Sequence, residues 1–146
     1  MQVSAVPAEY VKQVWPDVTE YMQGAADYTY GRYEVSDILD LITDYDYTLW
    51  IAFTEEGIKG AVVTNFSDYP RKRMLCMQFC GGVEVNTWQG PMLELLQRWS
   101  KDNDCDGIES TGRVGWSKVF KSDGYKPLWQ TYELPVDVQV EERKYG

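Results

Sequence analysis

The spacing of apolar residues over the first 45 positions follows the period of an α-helix. Pro7 to Gln13 predicts the start of a helix, with proline in the first turn, where its missing N–H is tolerated. Pro16 predicts the start of a second segment, because the residue before a proline disfavours the helical conformation. Its apolar stripe comprises Trp15, Val18, Tyr21 and Met22. Ser36 is a typical N-cap, and it predicts a third helix with the buried residues Ile38, Leu39, Leu41 and Ile42.

From residue 48 onward the pattern changes to that of β-strands. Thr48–Thr54 and Ile58–Phe66 are rich in β-branched and aromatic residues, and Glu55–Gly57 has the composition of a tight turn. Together these segments predict a β-hairpin. Ser67–Pro70 predicts a second turn, and Met74–Cys80 a third strand that ends at a pair of glycines.

The remainder of the chain alternates between helical and strand patterns. An amphipathic helix is predicted from Trp88 or Gln89 to about Lys101, with Asn86 or Thr87 as its cap. The elements predicted after it are a strand at Asp106–Ser110, a helix at Arg113–Lys121 ended by Gly124, a strand at Leu128–Leu134, and an edge strand or charged tail at Val136–Gly146.

This order of elements predicts the fold class. Sequential strands followed by strand–helix–strand units indicate an α/β fold with a mixed central sheet flanked by helices. The hairpins should be antiparallel, and the strand after the long helix should be parallel to the strand before it through a right-handed crossover. We expect one domain over residues 1–146, with its core at about residues 8–135.

Composition and charge narrow the function classes. The chain is 44% hydrophobic with a net charge of −9 and a pI near 4.5, so binding to nucleic acid by phosphate neutralisation is disfavoured. Its carboxylates are scattered, which also disfavours mimicry of DNA. Arg71-Lys72-Arg73 predicts a basic hairpin tip suited to an acidic partner.

The sequence has no apolar run of the roughly 20 residues that a membrane helix needs, and its N-terminus does not resemble a signal peptide. We therefore expect a protein that is neither secreted nor membrane-bound.

The residues available for catalysis are restricted by the absence of histidine. Ser-His-Asp and Cys-His catalysis and His-ligated metal sites are excluded. Cys76 and Cys80 are spaced to share one face of a strand and, with Cys105, are expected to be reduced thiols. Asp102–Gly107 matches the first half of an EF-hand loop, but Arg113 occupies the twelfth position, where a bidentate glutamate is required. We therefore predict a helix-to-strand turn there and no metal site.

The order and lengths of these elements resemble the fold of the GNAT family of N-acetyltransferases. Three local features add to the resemblance: Gly81-Gly82 between the third strand and the long helix, the helix exit Lys101–Ile108, and Phe120–Tyr125 with its glycine and final aromatic residue. In GNAT enzymes the first of these junctions holds the pyrophosphate of acetyl-CoA. If acetyl-CoA binds, the resemblance assigns that contact to Gly81, Gly82, Val83, Asn86 and Thr87.

A narrower resemblance is to the short GNAT-like proteins of tailed phages and prophages, some of which belong to virion assembly. The segments that carry it are Leu49–Val63, Asp68–Arg73, Gly81-Gly82, Thr111–Arg113 and Gly115-Trp116. This resemblance implies a viral protein in the host cytoplasm or the virion, with other virion proteins as its partners.

The sequence departs from the GNAT pattern at the positions that carry its chemistry. The phosphate motif, Gln/Arg-x-x-Gly-x-Gly/Ala, is absent from Gly82–Gly90, and Glu84 adds a negative charge there. The position of the family's tyrosine acid is occupied here by Phe120, which has no proton to donate. Arg113 occupies the position of the family's asparagine, and Trp116 occupies the position of its small residue.

Substitute groups for this chemistry are present in the sequence. Tyr125 or Tyr132 could replace the missing acid, and the candidate bases are Asp68, Glu84 and Glu109. None of these positions is fixed by a motif, so we assign no catalytic residue.

Two hypotheses follow. The first is a catalytically degenerate GNAT-like protein that binds no cofactor and acts through protein contacts. The alternative is an active acetyl-CoA-dependent N-acetyltransferase with a non-standard pyrophosphate loop. An enzyme requires an open groove beside Gly81 and free backbone N–H groups at residues 82–89. A protein-binding role predicts a groove filled by Trp88, Trp116 or Phe120, and a large apolar surface elsewhere.

Overall fold

The computed structural model describes residues 1–112 and 117–137. A single 3-10 turn lies at Ala8–Tyr10. The strands and helices in chain order are β1 (Gln2–Ala5), α1 (Val11–Asp27), α2 (Val35–Asp44), β2 (Thr48–Thr54), β3 (Gly57–Asp68), β4 (Arg73–Gly82), α3 (Val85–Asp102), β5 (Gly107–Ser110) and α4 (Ser117–Asp123).

The strands form one mixed sheet in the order β1-β2-β3-β4-β5. The first three pairs are antiparallel, and β4 pairs with β5 in parallel. The predicted α/β class, the antiparallel hairpins and the parallel last pair are therefore confirmed. The helix α3 connects the two parallel strands, as such a pair requires.

Two apolar layers cover the two faces of the sheet. Strand alternation sends Leu49 of β2 to the face covered by α1 and α2, and Trp50 to the face covered by α3. The α1 side is held by buried residues spaced along the helix: Val11, Val18, Met22 and Ala26. On the other side, α3 contributes Trp88, Met92 and Leu96.

The N-terminal region differs from the helices predicted for it. Gln2–Ala5 is a strand, and it pairs with β2 as an edge of the sheet. Pro16 lies inside one continuous helix, α1, and does not begin a new one. The missing N–H of Pro16 removes one helical hydrogen bond, but burial of the apolar stripe on both sides of it keeps the helix on the sheet.

The second helix begins before the predicted Ser36. Glu34 is its N-cap and forms a capping box with Asp37, in which each side chain accepts a hydrogen bond from the other residue's backbone N–H. The Glu34 N–H donates to the Asp37 carboxylate at 2.8 Å. A Glu-x-x-Asp box satisfies the same unpaired N–H groups as the commoner Ser-x-x-Glu box.

The C-terminal region also differs. The predicted strand at Leu128–Leu134 is not formed, and those residues lie exposed without secondary structure. Residues 136 and 137 lie in a turn, so they form no edge strand, and residues 138–146 lie outside the described part of the chain. The predicted helix at Arg113–Lys121 corresponds to α4, which extends to Asp123, while positions 113–116 are not described.

Candidate cofactor groove

The parallel strands β4 and β5 stay together for only four residue pairs, from Met74 with Gly107 to Met77 with Ser110. Ser110 Oγ closes this contact by donating to the Met77 carbonyl at 3.2 Å. Beyond Met77, β4 continues to Gly82 without a neighbour on its β5 side among the described residues. A groove therefore begins where the two strands part.

A β-bulge marks the same point on β4. Val63 of β3 pairs with Phe79 and Thr64 with Met77, so Gln78 has no partner in the register. An extra residue reverses which face the following side chains take. Both Met77 and Cys80 consequently pack on the α3 side. Cys76 alternates with Met77 and lies on the opposite face from Cys80, so the expectation that the two thiols share a face is wrong.

The groove between β4, α3 and α4 is filled by the protein's own side chains. It leaves a cavity of about 30 Å³, which has room for a few water molecules and is far smaller than the roughly 300–1,000 Å³ of a typical ligand pocket. Phe120 of α4 and Tyr125, two residues after that helix, cover it with their ring centroids 5.1 Å apart. The lining is almost entirely apolar: Val62, Met77, Cys80, Trp88, Gln89, Met92, Leu93, Leu96, Val119, Phe120, Asp123 and Tyr125.

Trp88 is the largest of these side chains, and its packing explains a glycine on β3. The indole is 2% exposed, and its Nε1 donates to the Val83 carbonyl at 2.9 Å. A Cβ at Gly60 would lie 2.5 Å from the indole ring, so only glycine leaves room for it. Trp88 therefore closes the groove at the start of α3.

Gly81 and Gly82 are also explained by close packing. A Cβ at Gly81 would collide with the Tyr21 carbonyl of α1, and one at Gly82 would lie 2.5 Å from the Lys59 carbonyl of β3. The Val83 N–H donates to that same carbonyl at 2.8 Å. Their assignment to a pyrophosphate contact stays a prediction, since packing alone accounts for both glycines.

The connection from β4 to α3 consists of Val83 and Glu84. Glu84 adopts the left-handed conformation (φ 52°) as the N-cap of α3. The Thr87 hydroxyl donates a hydrogen bond to the Glu84 carbonyl at 2.6 Å. The Thr87 backbone N–H donates to the same carbonyl at 2.9 Å. Val83 and Thr87, two of the five residues predicted to contact the pyrophosphate, therefore already use their backbone N–H groups in hydrogen bonds to the protein itself. Asn86, a third, lies exposed in the first turn of α3.

The charge at this helix N-terminus is supplied by the chain itself. The Glu84 carboxylate lies 3.3 Å from Lys59 Nζ, which also pairs with Glu56 at 3.0 Å. The hydrogen bonds that the Lys59 ammonium donates to Glu56 and then to Glu84 raise its pKa. Because a helix N-terminus favours a negative group, Glu84 occupies the environment in which a cofactor phosphate would be stabilised, and its charge would repel that phosphate.

Two titratable groups of the groove, Cys80 and Tyr125, keep their protons at neutral pH. Burial raises the pKa of the Cys80 thiol to about 12. Burial, followed by the charges of Asp123 and Cys80, raises the pKa of Tyr125 to about 12. Neither group is an anionic nucleophile near pH 7, and the protonated Tyr125 phenol is a potential proton donor.

The candidate bases are each engaged with a partner and do not converge. Glu109 accepts a hydrogen bond from the Tyr69 hydroxyl at 2.6 Å, and Asp68 pairs with Arg73 at 2.8 Å. Both lie near the start of β4, whereas Glu84 lies beyond its other end. Tyr132, the second candidate acid, is 85% exposed. Arg113 and Trp116 lie outside the described residues.

The other predicted sites are placed as follows. Asp102–Gly107 forms the turn from α3 into β5, where the Asp106 carboxylate accepts a hydrogen bond from the Arg73 N–H at 2.9 Å. Within residues 1–112 and 117–137, no three acidic or cysteine side chains are arranged to hold a metal ion. In that same part of the chain, no helix combines the length and hydropathy that a membrane crossing requires.

Comparison with solved structures relates this fold to acetyltransferases. A probable acetyltransferase superposes with a TM-score of 0.69 at 14% identity, over 95% of this chain and 100% of that chain. The ribosomal-protein-alanine N-acetyltransferase from Brucella melitensis biovar Abortus 2308 gives 0.67 at 12% identity, over 92% and 99%. An aminoglycoside N-acetyltransferase in complex with CoA gives 0.66 at 12% identity, over 94% and 95%.

These similarities show the fold, and the chain has the α/β fold of the GNAT acetyltransferases. No protein-family model matches the sequence, and no curated protein sequence matches it either. Fold alone does not establish function, so the activity has to be argued from the groove.

Proposed function

We propose that this protein acts through contacts with other proteins and does not transfer acetyl groups. The observation that carries the proposal is the narrow groove, in which Trp88, Phe120 and Tyr125 leave a cavity of about 30 Å³, far below the roughly 300–1,000 Å³ of a typical ligand pocket. The pantetheine arm of a cofactor would have to displace these packed side chains. The groove has the fillers Trp88 and Phe120 that the sequence predicted for a protein-binding role.

The short, acidic connection into α3 supports the same proposal. Only Val83 and Glu84 separate β4 from α3, and the Val83 N–H is bound to the Lys59 carbonyl. A pyrophosphate would meet the Glu84 carboxylate at the N-terminus of α3. The ion pair of that carboxylate with Lys59 weakens its repulsion of a pyrophosphate, so the narrow groove and not the charge carries the proposal.

A thermal-unfolding experiment with millimolar acetyl-CoA tests the proposal. A ligand at 100 times its Kd adds about 2.7 kcal/mol to the stability of the folded state, which raises Tm by roughly 5–10 °C in a domain of this size. We expect a shift below about 1 °C, within the error such scans show. Glu84→Gln should give the same result, because removing the charge leaves the groove filled. A clear upward shift in the unmodified protein would overturn the proposal.

The partners we propose are virion proteins, on the basis of the resemblance to phage GNAT-like proteins. Mass spectrometry of purified particles from a host carrying the gene is the direct test. We expect the chain at a stoichiometry above that of host contaminants. If the protein were present in the lysate but absent from the particles, virion proteins would be excluded as its partners. Binding to host proteins would then be the next test.

Tyr125 favours a second candidate, an acetyl-CoA-dependent N-acetyltransferase. Its phenol lines the groove and keeps its proton, since burial raises its pKa to about 12. In such a reaction an amine nitrogen would attack the thioester carbon, the carbon–sulfur bond would break, and Tyr125 would protonate the leaving thiolate. The nitrogen would release its proton to water, and Tyr125 would regain a proton from water. If acetyl-CoA binds and free thiol is released, Tyr125→Phe should lower turnover by about 10²–10⁴-fold. Unchanged turnover in that variant would exclude Tyr125 as the acid.

A further inference from the structure

Two Asp-Gly pairs occur in the sequence, Asp106-Gly107 and Asp123-Gly124. An aspartate before a glycine is open to isomerisation, because glycine has no side chain to hinder attack of its backbone nitrogen on the preceding carboxyl group. The structure places the two pairs in different surroundings, and these surroundings decide which pair can react.

Asp106 is held by hydrogen bonds to the neighbouring strand. Its carboxylate accepts a hydrogen bond from the Arg73 N–H at 2.9 Å, and its own backbone N–H donates to the Arg73 carbonyl at 2.7 Å. Gly107 then begins β5 and pairs with Met74 of β4. The Asp106 carboxyl carbon can therefore turn toward the Gly107 nitrogen only if these contacts break.

Asp123 lacks such restraints. It is the last residue of α4, a helix of seven residues, whereas isolated helices below about 12–15 residues are marginally stable. No described residue donates a hydrogen bond to its carboxylate or forms an ion pair with it. Gly124 follows with a φ of 95°, and no described atom lies within 4 Å of the position that a Cβ would take there. The carboxyl group and the next backbone nitrogen are thus free to approach each other.

The protonation state of Asp123 favours the same reaction. Burial raises the pKa of its carboxyl group, because a less polar environment disfavours the charged form. A larger share of Asp123 is therefore neutral than of an ordinary aspartate. A neutral carboxyl group loses water to an attacking nitrogen more readily than a carboxylate does.

We propose that Asp123 isomerises spontaneously to isoaspartate and that this modification uncovers the groove beneath α4. The Gly124 nitrogen attacks Asp123 Cγ, so that a carbon–nitrogen bond forms and a carbon–oxygen bond breaks. The carboxyl hydroxyl leaves as water with the amide proton. A water molecule then opens the cyclic imide at the backbone carbonyl of Asp123, which restores the composition of the chain and routes its backbone through Cβ and Cγ.

The added backbone carbon lies between the two aromatic residues that cover the groove. The Tyr125 N–H donates to the Phe120 carbonyl at 2.9 Å across Asp123, and the two rings pack 5.1 Å apart. A longer backbone moves this hydrogen bond out of register. We therefore expect Tyr125 to leave the groove in the isomerised protein.

Prolonged incubation of the full chain near neutral pH tests this inference. The readout is digestion with a protease that cleaves before aspartate but not before isoaspartate. We expect the folded protein to lose cleavage at Asp123 about tenfold faster than at Asp106, the factor that one hydrogen bond to a charged group contributes. In urea the two sites should lose cleavage at similar rates, because both carboxyl groups are then free.

Dye binding measures the effect on the groove. The isomerised form, separated by ion exchange, should bind an apolar fluorescent dye more strongly than fresh protein does. Asp123→Glu is the matched variant and should gain no dye binding during the same incubation, since its longer side chain does not form the five-membered imide.

Two results would overturn the inference. One is loss of cleavage at Asp123 that is no faster than at Asp106 in the folded protein. The other is unchanged dye binding by the isomerised form. Neither measurement involves acetyl-CoA, so this failure is distinguishable from failure of the proposed function.

Discussion

Gly81 shows how a single residue can suggest one role in the sequence and serve another in the fold. A glycine pair between a strand and a helix is typical of a phosphate-binding turn. In the structure, Gly81 is required because the Tyr21 carbonyl lies where its Cβ would be. The close approach of α1 to β4 is a long-range contact, which the local sequence does not encode.

Gly81→Ala should therefore destabilise the fold by about 1–3 kcal/mol, the range typical of overpacking. Urea unfolding followed by tryptophan fluorescence measures it. Gly24→Ala is the matched control, since Gly24 lies within α1 with no atom near its missing Cβ. That change should stabilise the helix by up to about 1 kcal/mol. Equal effects of the two substitutions would contradict the packing explanation.

The protonated groups in the groove predict a fall in stability at high pH. Tyr125 and Cys80 have pKa values of about 12 in the folded protein, raised by burial from ordinary values of 10.0 and 9.0. The unfolded chain releases these protons at lower pH, so their contribution is complete below about pH 9 and is lost as the pH rises toward 12. Tyr125→Phe should lose less free energy of unfolding between pH 9 and 11 than the unmodified chain. An identical pH dependence would show that Tyr125 is not buried in solution.

At the scale of single elements, α3 depends on one aromatic side chain for its placement. Trp88 fits against Gly60 and Gly82, and its indole N–H is satisfied by the Val83 carbonyl. The amphipathic pattern predicted the helix itself, but not that its first turn would fill the groove. Its start was predicted at Trp88 or Gln89 with Asn86 or Thr87 as the cap, whereas it begins at Val85 after Glu84. The sequence gives little sign of a left-handed glutamate as a cap.

Trp88→Ala should reduce the free energy of unfolding by about 3–5 kcal/mol, as removal of a buried tryptophan usually does. Tyr45→Ala, which removes a 68% exposed aromatic side chain, should change it by less than about 0.5 kcal/mol. Guanidinium unfolding of both variants provides the comparison. If Trp88→Ala changed the free energy of unfolding as little as Tyr45→Ala, packing of the Trp88 indole could not be what positions α3.

At the scale of the whole molecule, stability should decrease from the centre of the sheet to its edges. β3 is paired on both sides and has five consecutive buried residues, Gly60 to Thr64. β1 and β5 each have four residues and one strand neighbour among the described residues. Hydrogen exchange by mass spectrometry should therefore be slowest for peptides that cover Ala61–Thr64. Their amides should exchange only when the whole protein unfolds. Faster exchange there than in β1 would contradict this order.

The sequence by itself determined most of the regular structure. Alternation and β-branched content located β2 to β5, and the order of elements gave the α/β class and the parallel last pair. It did not reveal β1, because Gln2–Ala5 is too short to show a period and becomes a strand only by pairing with β2. It also misplaced the break at Pro16, where burial of α1 against the sheet outweighs the lost hydrogen bond.

Only the tertiary structure decided the state of the groove and the fate of the C-terminal segment. The sequence named Trp88, Phe120 and Tyr125 but could not show that they leave a cavity of only about 30 Å³. The bulge at Gln78 turned Cys80 toward the groove by shifting the strand one residue. Leu128–Leu134 has a strand pattern, yet it pairs with no described strand, because pairing depends on contacts with distant segments and not on local composition. Local patterns are set by neighbouring residues, whereas packing, cavities and pairing depend on residues far apart in the chain.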